Sequence, residues 1–128
     1  MFTPSAFIPL LKYWTTRPQA KEFREALPVL GSSGDLALFG TDSPSKGKVF
    51  AKTGTRATGD ALTGQALVNA RAMAGYLDVG GGHYQLFAVM FNDALAGSED
   101  AVLSIAADVA QISALLQQDG AKSASSSP

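Results

Sequence analysis

Residues 48–55 read "KVFAKTGT", and the stretch decides how the chain is read. Val49, Phe50 and Ala51 begin an apolar strand, which then breaks into Lys52-Thr53-Gly54-Thr55 and meets Arg56. A buried strand would continue apolar, and a plain turn would not place a lysine before Thr-Gly. As the end of an edge strand lining a cleft, the four residues have separate uses. Lys52 offers a cation to a carboxylate or a proton network, and Thr53 a hydroxyl donor. Gly54 removes a side chain so that another backbone can lie alongside. An extended peptide could add there as a further strand, with the Thr55 amide aimed at a developing oxyanion. These are parts of an acyl-transfer site. Lys-Thr-Gly alone is a weak motif, and a lysine beside a strand-ending glycine is also ordinary strand-end chemistry.

The surrounding chain sets the context. It has 128 residues, 46% hydrophobic, enough for one domain with a core. Ten basic against eleven acidic residues give a net charge of −1 and no electrostatic case for nucleic acid. The absence of cysteine excludes disulfides, thiolate metal sites and cysteine nucleophiles. No stretch reads as a membrane span of roughly 20 apolar residues. The start lacks a basic region and a small-residue cleavage site, so it is not a signal peptide. A helix beginning almost at residue 1 suggests the end of something longer.

Thr3 and Pro4 predict an N-cap and first helical position, followed by Phe7, Leu10, Leu11 and Trp14 at helical spacing and a stop at Arg17-Pro18. Ala20–Ala26 predicts a second short helix anchored by Phe23. Residues 28–37 form a turn-rich connector and 40–48 a loop. Strands are predicted over Val49–Gly54, Ala70–Val79 and Tyr84–Asn92, with 56–70 as a long loop flanking the cleft mouth and "GGGH" at 80–83 as a hairpin turn. "QLFAVMF" is apolar without alternation and predicts cover on both faces. Ser98 opens the last helix, whose stripe of Val102, Ile105, Val109, Ile112 and Leu116 should lie on the sheet. Gly120 is expected to close it, leaving 120–128 as a disordered tail behind a domain over 1–119. The predicted class is α+β: an antiparallel sheet covered by helices, with an edge strand needing a partner.

The match to a known family goes beyond the tripeptide. "TPSAFIPLLKYW", "FREALPVLGSSGDLA", "GKVFAKTGT", "GDALTGQALVNARAMAGYLD", "YQLFAVMFND" and the helix from Ser98 together resemble the C-terminal part of D-alanyl-D-alanine carboxypeptidases, the low-molecular-mass class C penicillin-binding proteins. The resemblance covers about residues 3–118, although "LPVLGSSGDLA" departs from a family segment closer to Leu-Pro-Val-Ala-Gly-x-x-Gly-Thr-Leu. It implies a β-lactamase/penicillin-binding transpeptidase fold, present only in its C-terminal part. It implies that Lys52 anchors the substrate carboxylate and the proton network, that Thr53 and Thr55 offer it hydroxyls, that Gly54 admits the substrate backbone and that the Thr55 amide is an oxyanion donor. Arg56 is a weaker candidate for holding an anionic substrate. The implied reaction is serine-type carboxypeptidase or endopeptidase action on peptidoglycan stem peptides ending in D-Ala-D-Ala, through an acyl-enzyme. β-Lactams are implied inhibitors, no metal or cofactor is implied, and the location is periplasmic or otherwise outside the cytoplasmic membrane.

The nucleophile is not in this chain. Ser43-Pro44-Ser45-Lys46 and the Ser45–Lys48 pair have the spacing of Ser-x-x-Lys but sit in a Pro/Gly loop, whereas the chemistry needs one helical face. Ser-x-Asn is absent. The expectation is an N-terminal half of the same polypeptide that carries both motifs, and a chain unable to turn over substrate alone. The rivals are a truncated homologue serving as a binding piece and an unrelated α+β domain. His83, the single histidine, reads as surface decoration, Trp14 and Phe7 as core, and Asp35, Asp42 and Asp60 as turn residues.

Overall fold

The computed structural model describes residues 3–60 and 62–126. Two helices, α1 (Pro4–Thr15) and α2 (Ala20–Glu25), lead through a 3-10 turn at Gly34–Leu36 to strands β1 (Val49–Gly59), β2 (Ala66–Gly80) and β3 (His83–Ala96), then to helix α3 (Glu99–Ser125). The strands form one antiparallel sheet in the order β1-β2-β3. Thr53, Met73 and Val89 stand in register across it, so the three expected strands are consecutive neighbours. The α+β expectation holds.

Alternation along β1 sends Val49 and Ala51 to one face, where they meet Leu30, Leu36, Met73, Leu77, Phe87, Val109 and Ala110 in the core. Burying each large aliphatic side chain of that set contributes about 1.5–3 kcal/mol. On the opposite face α1 and α2 pack through aromatics. Trp14 stacks on Phe23 with centroids 4.4 Å apart, Phe23 meets Tyr76 edge-on, and the Tyr76 hydroxyl donates to the Leu11 carbonyl at 2.9 Å. Both faces of β3 are covered as "QLFAVMF" predicted, but thinly toward its end, where Phe91 is exposed.

Four expectations need correction. Residues 56–70 are not a long loop, because β1 continues to Gly59 and β2 begins at Ala66, making one long hairpin. A register shift between Arg56 and Ala57 interrupts its alternation and hides it from a periodicity reading. Asp60 closes the turn, accepting from the Leu62 amide at 2.9 Å and the Thr63 hydroxyl at 2.8 Å, which fits its reading as a turn residue.

The face that α3 buries is Ala106, Val109, Ala110, Ser113, Ala114 and Gln117, while Ile112 and Leu116 are each 42% exposed. Of the expected stripe Val109 is in the core and Val102 and Ile105 are half-buried, but from Ile112 on the small residues take the contact because they let the helix axis approach the sheet, and Ile112 and Leu116 lie on the flank.

Gly120 does not end α3, which runs on to Ser125, so 120–125 is helix and not tail. The glycine lies where the helix crosses the β2–β3 turn, and a Cβ there would sit 2.8 Å from Val79 Cγ1. Residues 127 and 128 of the expected tail lie outside the described residues. By length and composition Asp100–Ser125 is also apolar enough to cross a bilayer, but here one side of that helix packs on the sheet.

Candidate functional site

The outer edge of β1 changes character at the motif. Over its first residues it is covered by the connector: Leu30 N–H donates to the Val49 carbonyl at 3.0 Å, and Ala51 N–H donates to the Pro28 carbonyl at 2.9 Å. Outward-facing amides recur every second residue, so the next on that side belong to Thr53 and Thr55. The register with β2 is unbroken through this stretch and shifts only after Arg56. The connector runs antiparallel to β1, so toward the motif its cover ends at Pro28, and beyond that point the outward amides of Thr53 and Thr55 have no connector partner among the described residues.

Lys52 lies on the α1 side of the strand and is 63% exposed in its side chain. The chain bends around the edge, and Nζ donates to Asp35 Oδ2 at 2.8 Å and to the Thr53 carbonyl at 3.0 Å. Thr53 projects to the other face, and its hydroxyl also donates to Asp35 Oδ2. Gly54 has open space where a Cβ would stand. Thr55 accepts a hydrogen bond from Arg71 Nη1 on β2, its register partner. Arg56 is exposed beside the register shift. The motif thus brings Lys52, Thr53 and Thr55 to one edge, with Arg56 one step beyond.

Two charged residues at this edge were not expected. Asp35, read as a turn residue, is held by the connector. Gly34 has φ +62 and packs against Pro28, the 3-10 turn follows, and Leu36 is fully buried. Desolvation would raise the Asp35 carboxyl, but hydrogen bonds from Lys52 and Thr53 and the lysine charge outweigh it and leave it below its ordinary value. Its separation of 17 residues from Lys52 removes any local sequence signal. Arg71 is partly desolvated, which lowers its pKa against the raising influence of Asp35, and it stays charged. Its Nε is buried without a hydrogen-bond partner among the described residues.

An apolar cavity of about 280 Å³ adjoins the edge. Phe7, Leu10 and Leu27 line it from the helical side, Ala88 and Met90 from the sheet, and it reaches Lys52 and Gly54. A larger hollow of about 410 Å³ lies between residues 38–43 and α3, away from the motif and without a titratable side chain. The serines at helical spacing from lysine do not resemble a nucleophile. Ser45 is fully buried, and its hydroxyl donates to the Ala114 carbonyl at 2.9 Å.

A helix-covered antiparallel sheet with Lys-Thr-Gly on an edge strand is part of a penicillin-binding-type fold. Residues 1–116 match the D-Ala-D-Ala carboxypeptidase 3 (S13) family, and the chain belongs to that family. No curated protein and no solved structure matches it. Membership places the chain among the serine peptidases, hydrolases of cell-wall peptides.

Proposed function

We propose that this chain supplies the Lys-Thr-Gly side of a D-alanyl-D-alanine carboxypeptidase/endopeptidase acting on peptidoglycan stem peptides outside the cytoplasmic membrane. The observation that carries the reading is the position of the motif. Lys52–Thr55 begins where the β1 edge loses its cover, beside an apolar cavity. A stem peptide adds along this edge as an antiparallel strand, paired to the outward groups of Thr53 and Thr55. Gly54 leaves room for it. The Thr55 amide faces the scissile carbonyl and stabilises the oxyanion. A serine hydroxyl adds to that carbonyl, the terminal D-Ala leaves with the proton as a free amine, and water later releases the peptide from the ester. Lys52 belongs to the proton network and the anion site. The serine and its lysine come from a preceding half of the same polypeptide, which also pairs with the open edge of β3; this chain alone is inactive.

The buried state of Ser45 supports a second reading, in which the chain is a non-catalytic homologue that keeps the peptide-binding edge. Labelled penicillin separates the two. The enzyme reading expects covalent labelling of the complete gene product at a serine outside residues 1–128, with the label lost after preincubation with a D-Ala-D-Ala peptide or unlabelled penicillin. A complete product that resists acylation leaves only the binding role.

A further inference from the structure

The carboxylate of Asp35 stands where an anionic substrate tail would be received. Lys52 Nζ and the Thr53 hydroxyl, two donors of the motif, both point at one oxygen of Asp35. The carboxylate is not a wandering surface group. Leu36 beside it is fully buried, Gly34 before it is packed on Pro28, and the Ala37 amide closes the turn on the Gly34 carbonyl at 3.2 Å. The connector that ends the cover on the β1 edge therefore also delivers an acid to the first open position.

We propose that Asp35 is a specificity-determining residue: an internal carboxylate that occupies the anion position between Lys52 and Thr53 and weighs against peptides with a free terminal carboxylate relative to neutral ones. The inference rests on the reading of the β1 edge as a peptide-receiving site. Its physics is competition. An incoming carboxylate must take over both donors from Asp35 and then lie against its charge; a terminal carboxamide meets no such repulsion and can itself donate to Asp35. Asp35 and Lys52 side chains are 39% and 63% exposed, so solvent screens the pair and the discrimination is modest. Arg71, within electrostatic reach of Asp35, keeps a cation at the Thr55 end, so the edge does not exclude anions altogether.

The test compares the full chain with Asp35→Asn, which keeps the shape and removes the charge, and with Asp35→Ser as a second variant. Acetate, acetyl-D-Ala-D-Ala and its C-terminal amide are titrated separately, and the backbone amide resonances of Thr53 and Thr55 are followed by NMR. The expected result is a rise of about two- to fivefold in the ratio of free-acid to amide affinity in both variants, with acetate affinity rising alongside. A ratio that is unchanged or falls overturns the proposal, since a residue that merely orients Lys52 and Thr53 would weaken the acid when lost. Acetate responding without either dipeptide binding supports the anion position and counts against the peptidase reading. Dipeptides binding with an unaltered ratio sinks the Asp35 proposal and leaves that reading standing. No response to any probe in any variant overturns it as well.

Discussion

Two glycines of the β1–β2 ladder, Gly54 and Gly75, have opposite reasons to be glycine. Gly75 lies in the middle strand opposite Ala51, and a Cβ there would run into the Phe50 carbonyl and stand 2.7 Å from Ala51 Cα. The fold itself demands it. Gly54 lies on the edge strand with nothing within 4 Å of its missing Cβ. No contact among the described residues explains it, which agrees with the proposal that a peptide backbone approaches there from outside. A residue dictated by packing says little about function, whereas one left unexplained by packing beside an uncovered strand edge says a great deal.

The largest effect that could break this contrast is on folding. Gly75→Ala should cost about 3 kcal/mol or more, because its clash is with backbone that cannot swing away, and urea denaturation will read it as a lower midpoint. Gly54→Ala should change stability by less than about 0.5 kcal/mol in the same experiment. Its cost should appear in binding, as a roughly tenfold loss of affinity for acetyl-D-Ala-D-Ala, about 1.4 kcal/mol, because the new methyl meets the added strand. Equal stability losses at the two positions would erase the distinction.

The helix-covered face of the sheet and its exposed corner can be compared through hydrogen bonds. Tyr76→Phe removes the buried hydroxyl that ties the sheet to the Leu11 carbonyl and should cost about 1–2 kcal/mol by thermal or urea unfolding. The smallest effect belongs to the exposed corner. Asp35 has its pKa lowered by folding, so its contribution is complete above the ordinary carboxylate value of about 4 and is lost as pH falls through the lower folded value. Solvent exposure keeps that contribution below about 1 kcal/mol. Acid titration of wild type and Asp35→Asn should therefore give curves that coincide at acid extremes and separate slightly above about pH 4, in favour of the wild type.

Much of the covered region was legible. Apolar runs punctuated by "KTGT" and "GGGH" place β1, β2 and β3 in order, and the Ser98 opening places α3. The far half of the β1–β2 hairpin was not. The register shift after Arg56 breaks the two-residue period that would have marked residues 56–59 as strand. The α3 stripe was misjudged because side-chain size cannot say which flank of a helix a sheet will accept; here Ala106, Ala110 and Ala114 won over Ile112 and Leu116. Gly120 looked like a terminator and proved to be a crossing point.

The amino-acid sequence alone determined the class of fold, the family and the strand that carries Lys52-Thr53-Gly54-Thr55, because strand periodicity and a contiguous motif are local properties of a chain. Only the tertiary structure decided where the β1 edge becomes free and which acid stands over the motif. Pro28, Leu30 and Asp35 reach that edge through turns whose geometry depends on Leu36 being buried in a core drawn from every strand and from α3. Contacts between residues so far apart in sequence arise from packing, and packing is settled by the whole chain together.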